Sequence, residues 1–123
     1  MKFNEDGSIL VWSGDDDSFT FYYEDLRDIS DYEFFFTVKP TTSATTDDSD
    51  ALLSINPSDV TYTTSNTKAI IPVAKSSVRI PAGTYKYDFQ KVVPDGSSDS
   101  VTTTIGNLYK VANDVTKRVA WVM

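Results

Sequence analysis

Carboxylates are the main candidates for acid–base chemistry in this chain of 123 residues, which contains 18 Asp and Glu side chains. Histidine and cysteine are both absent, which removes the usual general base near neutral pH, the commonest zinc ligand and every Ser-His-Asp arrangement. Two carboxylates at a set separation are enough to hydrolyse a glycosidic bond, and the candidates are Glu24, Glu33 and Asp88. Glu33 and Asp88 are explained as well by outward positions on alternating strands, so the sequence predicts no catalytic residue.

Two acidic turns carry the hard oxygen ligands that Ca²⁺ prefers. They are Asp15-Asp16-Asp17 and Asp47-Asp48-Ser49-Asp50. Neither has the spacing and glycine of an EF-hand loop, which favours solvated turns over a calcium site. The five glycines are isolated at turns, so no phosphate-binding loop is present either. The sequence therefore predicts no metal site and no cofactor.

Three aromatic side chains are the candidate interaction residues: Tyr22, Phe35 and Trp121. Alternation places Tyr22 and Phe35 on the outward faces of their predicted strands, and clustered exposed aromatics mark a protein or carbohydrate contact. The alternative is that a loop or the C-terminal tail covers them. Trp121 is predicted to act as an anchor in residues 115–123, a segment compatible with an edge strand, a helical tail or a sticky end.

Charge is unevenly distributed along the chain, whose formal net charge is −7. Residues 1–50 contain 13 acidic and 3 basic side chains (−10), while residues 51–123 contain 5 acidic and 8 basic ones (+3). No concentrated basic face is apparent, so we expect no nucleic-acid partner. Opposite charge on the two halves is compatible with subunits that associate head to tail, although solubilising loop carboxylates explain it too.

The organisation predicted is one domain, 1–123, with a core of about residues 9–116 and a C-terminal tail of 117–123. Nothing at the start resembles a signal peptide and no apolar segment has the length of a membrane span, so we expect no membrane insertion. Residues 40–50 contain no large apolar side chain and are predicted to form a mobile loop that orders upon binding.

The clearest strand lies within residues 81–90. Tyr85, Tyr87 and Phe89 alternate with polar residues, the period of two expected of a strand with one buried face. Gly83 supplies the backbone freedom for a sharp entry turn. The order Gly-x-Tyr-x-Tyr also matches the tyrosine corner of an immunoglobulin-like sandwich, with Tyr85 at the corner position.

Short alternating or apolar runs bounded by turn residues recur along the rest of the chain. They predict further strands at residues 9–12, 18–23, 32–39, 52–55, 60–63, 69–73 and 101–111, with a bulge near Gly106. A connector at residues 24–31 is expected to be held to the core by Leu26 and Ile29. The predicted fold class is all-β, an immunoglobulin-like antiparallel β-sandwich of about eight short strands.

Five motifs occur in an order that resembles a known family. They are residues 14–21, Leu26-x-x-Ile29-x-Asp31-Tyr32, Phe36-Thr37-Val38-Lys39, residues 80–90 and Asp114-Val115-Thr116. Together they are similar to the N-terminal domain of phage baseplate upper proteins, an immunoglobulin-like module of tailed-phage tails. The resemblance covers about residues 9–116, and its most specific part is the Ala-Gly-Thr-Tyr-x-Tyr-Asp-x-Gln run.

The resemblance implies a non-enzymatic virion protein of a tailed phage, assembled in the host cytoplasm. In the family a linker and receptor-carrying domains follow this module, whereas the sequence here ends at Met123, so we expect a stand-alone tail, baseplate or fibre-attachment subunit. Its expected partners are other phage structural proteins and further copies of itself. The alternatives are a capsid decoration or head-to-tail connector protein and a carbohydrate-binding module for host attachment.

Overall fold

The computed structural model of the chain describes residues 1–43, 49–63, 65–95 and 98–112, and this part is almost entirely β-structure. The strands are β1 (Lys2–Phe3), β2 (Ile9–Trp12), β3 (Asp17–Phe21), β4 (Glu33–Pro40), β5 (Leu53–Ile55), β6 (Thr61–Thr63), β7 (Lys68–Ala74), β8 (Gly83–Asp95) and β9 (Ser98–Ala112). A single 3-10 turn, Pro57–Asp59, lies between β5 and β6.

The strands form two sheets that pack face to face. The large sheet has six strands in the order β1-β2-β9-β8-β4-β5, and the small sheet has three in the order β3-β7-β6. All described pairs are antiparallel except β2 with β9, which run parallel. The chain crosses from the large sheet to the small sheet between β2 and β3 and returns to the large sheet between β3 and β4. This strand order is that of an immunoglobulin-like sandwich, which confirms the predicted fold class.

Alternating apolar side chains produce this arrangement, because each strand turns every second residue toward the opposite sheet. On β4 the inward residues Phe34, Phe36 and Val38 are fully buried, as the alternation predicts. On β7 of the facing sheet, Ile71 and Val73 are fully buried in the same way. Burial of each such side chain contributes roughly 1.5–3 kcal/mol, so the two inner faces supply most of the stabilising free energy.

Aromatic rings fill the middle of the core. Phe34 stacks on Phe89 with ring centroids 5.8 Å apart and an interplanar angle of 5°. Phe19 of the small sheet meets Phe89 edge-on at 5.0 Å and 83°. Phe36 stacks against Tyr87 at 5.2 Å. Such ring pairs add about 0.5–1.5 kcal/mol each beyond the burial of their area.

Tyrosine hydroxyls link parts of the chain that are distant in sequence. Tyr109 on β9 donates to the carbonyl oxygen of Val73 on β7 at 2.6 Å, a buried bond that joins the two sheets. Tyr62 on β6 donates to the Tyr32 carbonyl at 2.6 Å, just before β4 begins. Each ring supplies apolar area to the core while its hydroxyl satisfies a backbone acceptor.

The corner predicted at Tyr85 is present. Its hydroxyl donates to the carbonyl oxygen of Pro81, four residues earlier, at 2.7 Å. Two residues on, Tyr87 is buried and donates to the Gly7 carbonyl in the turn between β1 and β2. Gly7 has φ +91°, a conformation that glycine adopts at little cost, so the turn brings its carbonyl within reach of the tyrosine.

Several sequence-based boundaries are corrected by the structure. Strand β3 ends at Phe21 instead of residue 23, and β8 and β9 are long strands of 13 and 15 residues. The register shift in β9 falls opposite Phe89 and Gln90, so the unpaired residue is Thr104, just before Gly106. A ninth strand, β1, was hidden because two residues are too few to show alternation.

The connector before β4 also differs from expectation. Ile29 is fully buried, but Leu26 is 50% exposed and does not anchor the loop. Leu26 closes a turn by donating its N–H to the Tyr23 carbonyl at 2.9 Å, and its φ is +52°. This left-handed backbone is unusual for a residue with a large side chain and places Leu26 at the tip of the turn.

Removing the inter-sheet hydroxyl should destabilise the fold more than removing the corner hydroxyl. Tyr109→Phe leaves the buried Val73 carbonyl without its bond, which costs about 1–3 kcal/mol of unfolding free energy. Tyr85→Phe exposes the Pro81 carbonyl to water and should cost less than about 1 kcal/mol. Urea unfolding of the two variants tests this, and equal losses would contradict the inter-sheet role of Tyr109.

Stability should fall at alkaline pH because buried tyrosines resist ionisation. Burial raises the pKa of Tyr87 from 10.0 to about 12, and burial also raises the pKa of Tyr62 and Tyr109. The folded protein holds these protons more tightly than the unfolded chain, so stability is intact below pH 10 and declines toward pH 12. Urea midpoints across this range should decline less steeply in Tyr87→Phe than in the wild type.

Candidate functional site

An apolar groove opens at the edge of the sandwich where the two sheets diverge. Strand β1 is the last strand of the large sheet and β3 is the last strand of the small sheet, and within the described residues neither has a neighbour on its outer side. The space between them is an open groove of about 330 Å³. Its apolar lining consists of Met1, Phe3, Phe19, Phe21, Tyr22 and Phe89.

Strand register explains why these rings converge. Phe3 lies opposite Ile9, so its side chain points to the inner side of the large sheet. Phe3 is nevertheless 46% exposed, because no strand of the described part of the chain lies beyond β1. Phe19 and Phe21 point inward from β3. Phe89 is buried beneath them and contacts both, with ring centroids 5.0 and 6.0 Å away. The groove is therefore a continuation of the core to the surface.

Polar contacts surround the groove. At one end the amino group of Met1 lies 3.1 Å from a carboxylate oxygen of Asp17, which joins β1 to β3. At the other end Lys68 Nζ lies 5.2 Å above the ring of Tyr22, a cation–π contact. Tyr22 is 52% exposed, so its ring forms the outer rim. The result is an apolar floor with charged ends, an arrangement typical of a docking site.

The geometry of the carboxylates does not match that of a glycosidase. Glu33 lies four residues before Thr37 on β4, and Asp88 lies directly opposite Thr37. Four residues of strand span about 13 Å, whereas paired carboxylates in glycoside hydrolysis are separated by roughly 5–9.5 Å. Glu24, the third candidate, is exposed in the turn before β4 instead of on a strand. Glu33 and Asp88 therefore do not form a catalytic pair.

Four other carboxylates have pKa values below their ordinary value. Hydrogen bonds from Ser8 lower the pKa of Asp6, and bonds from Ser30 lower the pKa of Asp28. The Arg27 guanidinium lowers the pKa of Asp25, and the Asn56 backbone N–H lowers that of Asp59. A general acid working near neutral pH needs the opposite shift. These four groups are suited to capping turns and forming ion pairs.

The first acidic turn makes structural contacts. Asp16 accepts the Ser76 backbone N–H at 2.7 Å, and Asp17 pairs with the Met1 amino group. In the second acidic turn, Asp47 and Asp48 lie outside the described residues. Among the residues that are described, no three acidic, histidine or cysteine side chains are grouped to hold a metal ion.

The three predicted interaction residues lie in different places. Tyr22 forms the rim of the groove, just after β3. Phe35 lies on the outer face of the large sheet, opposite Gln90, and is half-buried. Trp121 lies outside the described residues. Tyr22 and Phe35 therefore do not belong to one surface.

Sequence reasoning missed Phe3, the other exposed ring of the groove. Phe3 sits in a polar start with no alternation around it, and its strand has two residues. The available signal was the turn that follows, Asp6-Gly7, which indicates a hairpin returning into β2. A hairpin there would have placed Phe3 beside Ile9.

No protein-family model matches this chain, and a search of curated proteins finds no match either. Across the part of the chain with assigned structure, no helix has the length and apolar character of a membrane span.

The groove should bind an apolar probe. The double variant Phe3→Ser with Tyr22→Ser removes both exposed rings that line the groove. The fluorescence of bound anilinonaphthalene sulfonate should therefore fall by at least about half. Unfolding free energy should change by no more than about 0.5 kcal/mol per site. The control is Leu108→Ser, which removes an exposed side chain from the other face. An equal loss of fluorescence in the control would contradict binding in the groove.

Proposed function

We propose that this domain is a non-enzymatic structural subunit of a tailed-phage particle, located at the tail, baseplate or fibre attachment. It acts by docking to other virion proteins and to copies of itself. The observation that carries the proposal is the apolar groove between β1 and β3, where exposed aromatic rings lie between two strand edges that no described strand covers. The similarity of residues 9–116 to the baseplate upper protein module supports the particle assignment.

Backbone geometry favours a particular mode of docking. An edge strand presents a row of free N–H and C=O groups, and an added strand can pair with them while its alternate side chains fill adjacent pockets. Strand β3 offers such an edge beside an apolar groove. The expected occupant is an extended segment of a neighbouring virion protein with apolar residues at every second position.

Two further surfaces belong to the proposal. Phe35, half-buried on the outer face of the large sheet, is a second contact, and Trp121 is an anchor in the tail. The sequence predicts a loop at 40–50 that orders upon binding, and residues 44–48 of this loop lie outside the described residues. Its first described residues are held to the sheet, because Lys86 Nζ donates to the Ser43 carbonyl at 2.7 Å.

Phe35→Ser should weaken assembly and leave the fold intact, and a variant that unfolds would show that Phe35 is a core residue.

The position in the particle is tested by fractionation. Virions that carry this chain are dissociated, tails are separated from heads, and the chain is detected by mass spectrometry in each fraction. Recovery with tails or baseplates is the expected result. Recovery with heads alone would assign the chain to capsid decoration or a connector, and binding to a glycan array would assign it to host attachment.

Docking through the groove is tested by incorporation into particles. Tyr22→Ser removes the aromatic rim of the groove and should lower incorporation at least about tenfold, because truncation of an aromatic hot-spot residue costs about 2 kcal/mol or more of binding free energy. Tyr22→Phe keeps the ring and should incorporate like the wild type. Equal incorporation of the two variants would exclude the groove as the docking site.

A further inference from the structure

Four lysines form a stripe across the outer face of the large sheet. Lys39 on β4 lies directly opposite Lys86 on β8, and Lys110 on β9 lies one row away, opposite Thr84. Leu10 continues that row from Lys110 to Lys2 on β1. We call Lys2, Lys39, Lys86 and Lys110 the lysine stripe. It crosses five adjacent strands of the sheet, which at about 4.8 Å per strand is roughly 19 Å wide.

Negative charges on the same face lie away from the stripe or beside its edge. Asp88 occupies the next row after Lys86, and Glu33 lies at the far end of β4. Asp6 lies near Lys110, which contributes to the lowering of its pKa after the larger effect of the Ser8 hydrogen bonds. The stripe row and its neighbour therefore carry a net positive charge on a protein whose total is −7.

An acidic surface lies at the opposite end of the sandwich. The connector between β3 and β4, residues 22–32, exposes Glu24, Asp25, Asp28 and Asp31 and contains one cation of its own, Arg27. Lys91 of β8 and Lys68 of β7 contact the connector at its tyrosines, Tyr23 and Tyr22. Asp25 forms an exposed ion pair with Arg27 at 2.7 Å. We call the four carboxylates the acidic connector. With Arg27 included, its net charge is −3.

The two surfaces of one molecule are too far apart to pair with each other. The acidic connector leads into Glu33 at the start of β4, whereas Lys39 of the stripe lies six residues later on the same strand. Six residues of strand span about 20 Å, twice the screening length of roughly 8–10 Å at moderate salt. The stripe and the connector of one molecule therefore do not pair with each other.

We infer that the lysine stripe of one copy receives the acidic connector of the next copy, in a head-to-tail contact. Because the two surfaces occupy opposite ends of the strands, repetition of the contact produces a ring or a filament. Exposed Leu108, within the stripe region, and exposed Leu26, at the tip of the connector, add apolar area to the two sides. This inference rests on the proposed role as an assembling subunit and specifies the surfaces involved.

A charge-exchange experiment tests the contact. One variant, Lys2→Glu with Lys110→Glu, changes the net charge of the stripe and its neighbours Asp6 and Asp88 from +2 to −2. A second variant, Glu24→Lys with Asp31→Lys, changes the net charge of the connector with Arg27 from −3 to +1. All four side chains are exposed, so both variants should fold, which circular dichroism checks. In a sample of one variant alone, the stripe and the connector carry net charges of the same sign and repel each other. Mixed, the two present opposite charges at every contact.

The readout is the mass from light scattering over a range of protein concentrations at low and high salt. The wild type should form oligomers heavier than 13.7 kDa that dissociate in high salt. Each variant alone should associate at least about tenfold more weakly, and the equimolar mixture should recover wild-type association. The control, Arg79→Glu, reverses an exposed cation away from the stripe and should behave like the wild type.

Three outcomes would overturn the inference. A wild type that stays monomeric at every concentration and salt excludes self-association. Mixing that fails to restore association excludes the pairing of these two surfaces. Retention on heparin that the stripe variant loses, with no oligomer of the wild type, assigns the stripe to an anionic polymer. Recovery of the chain with tails in virion fractionation would leave the proposed function standing in each case.

Discussion

A tyrosine ring buried between two sheets brings a hydroxyl that has to find an acceptor, and the rest of this structure depends on how that requirement is met. The chain has no cysteine, so no disulfide joins its sheets. Tyr109 instead reaches from β9 to the Val73 carbonyl of β7, a buried bond between the sheets. The bond fixes the relative position of the inner faces, around which Phe34, Phe36 and Phe89 pack. Hydrogen bonding supplies the specificity here, and ring burial supplies most of the free energy.

The same packing leaves one edge of the sandwich open. The large sheet extends past the small one through β1, and β3 has no outer neighbour in the described ranges, so the aromatic core reaches the surface between them. Natural proteins prevent unwanted pairing at such edges with short strands and charged side chains. Here β1 has two residues, and Asp17 and Lys68 lie at the ends of the groove. The edge is thus protected from general aggregation while Phe3 and Tyr22 remain accessible to a specific segment.

Charge and apolar contact have separate roles in the proposed assembly. The apolar side chains of the groove and the edge backbone of β3 provide affinity for an extended segment. The lysine stripe and the acidic connector determine the orientation of neighbouring copies and make their association depend on salt. Because the two kinds of surface lie on different parts of the sandwich, one copy can hold a partner in its groove while it contacts neighbouring copies. A module with separate contact surfaces is suited to a particle in which each subunit touches several others.

Local sequence determined the strands and their inner faces, since alternation of Phe34, Phe36 and Val38 is set by neighbours two residues apart. It also predicted the corner at Tyr85, where four residues separate donor and acceptor. Only the tertiary structure decided the surfaces. Phe3 joins Tyr22, and Lys2 joins Lys110, through pairings between residues distant in the chain. A charge count by halves assigned Lys2 and Lys39 to the acidic half, but strand register places them in the basic stripe. Long-range register is a property of the whole sheet, and no short stretch of sequence contains it.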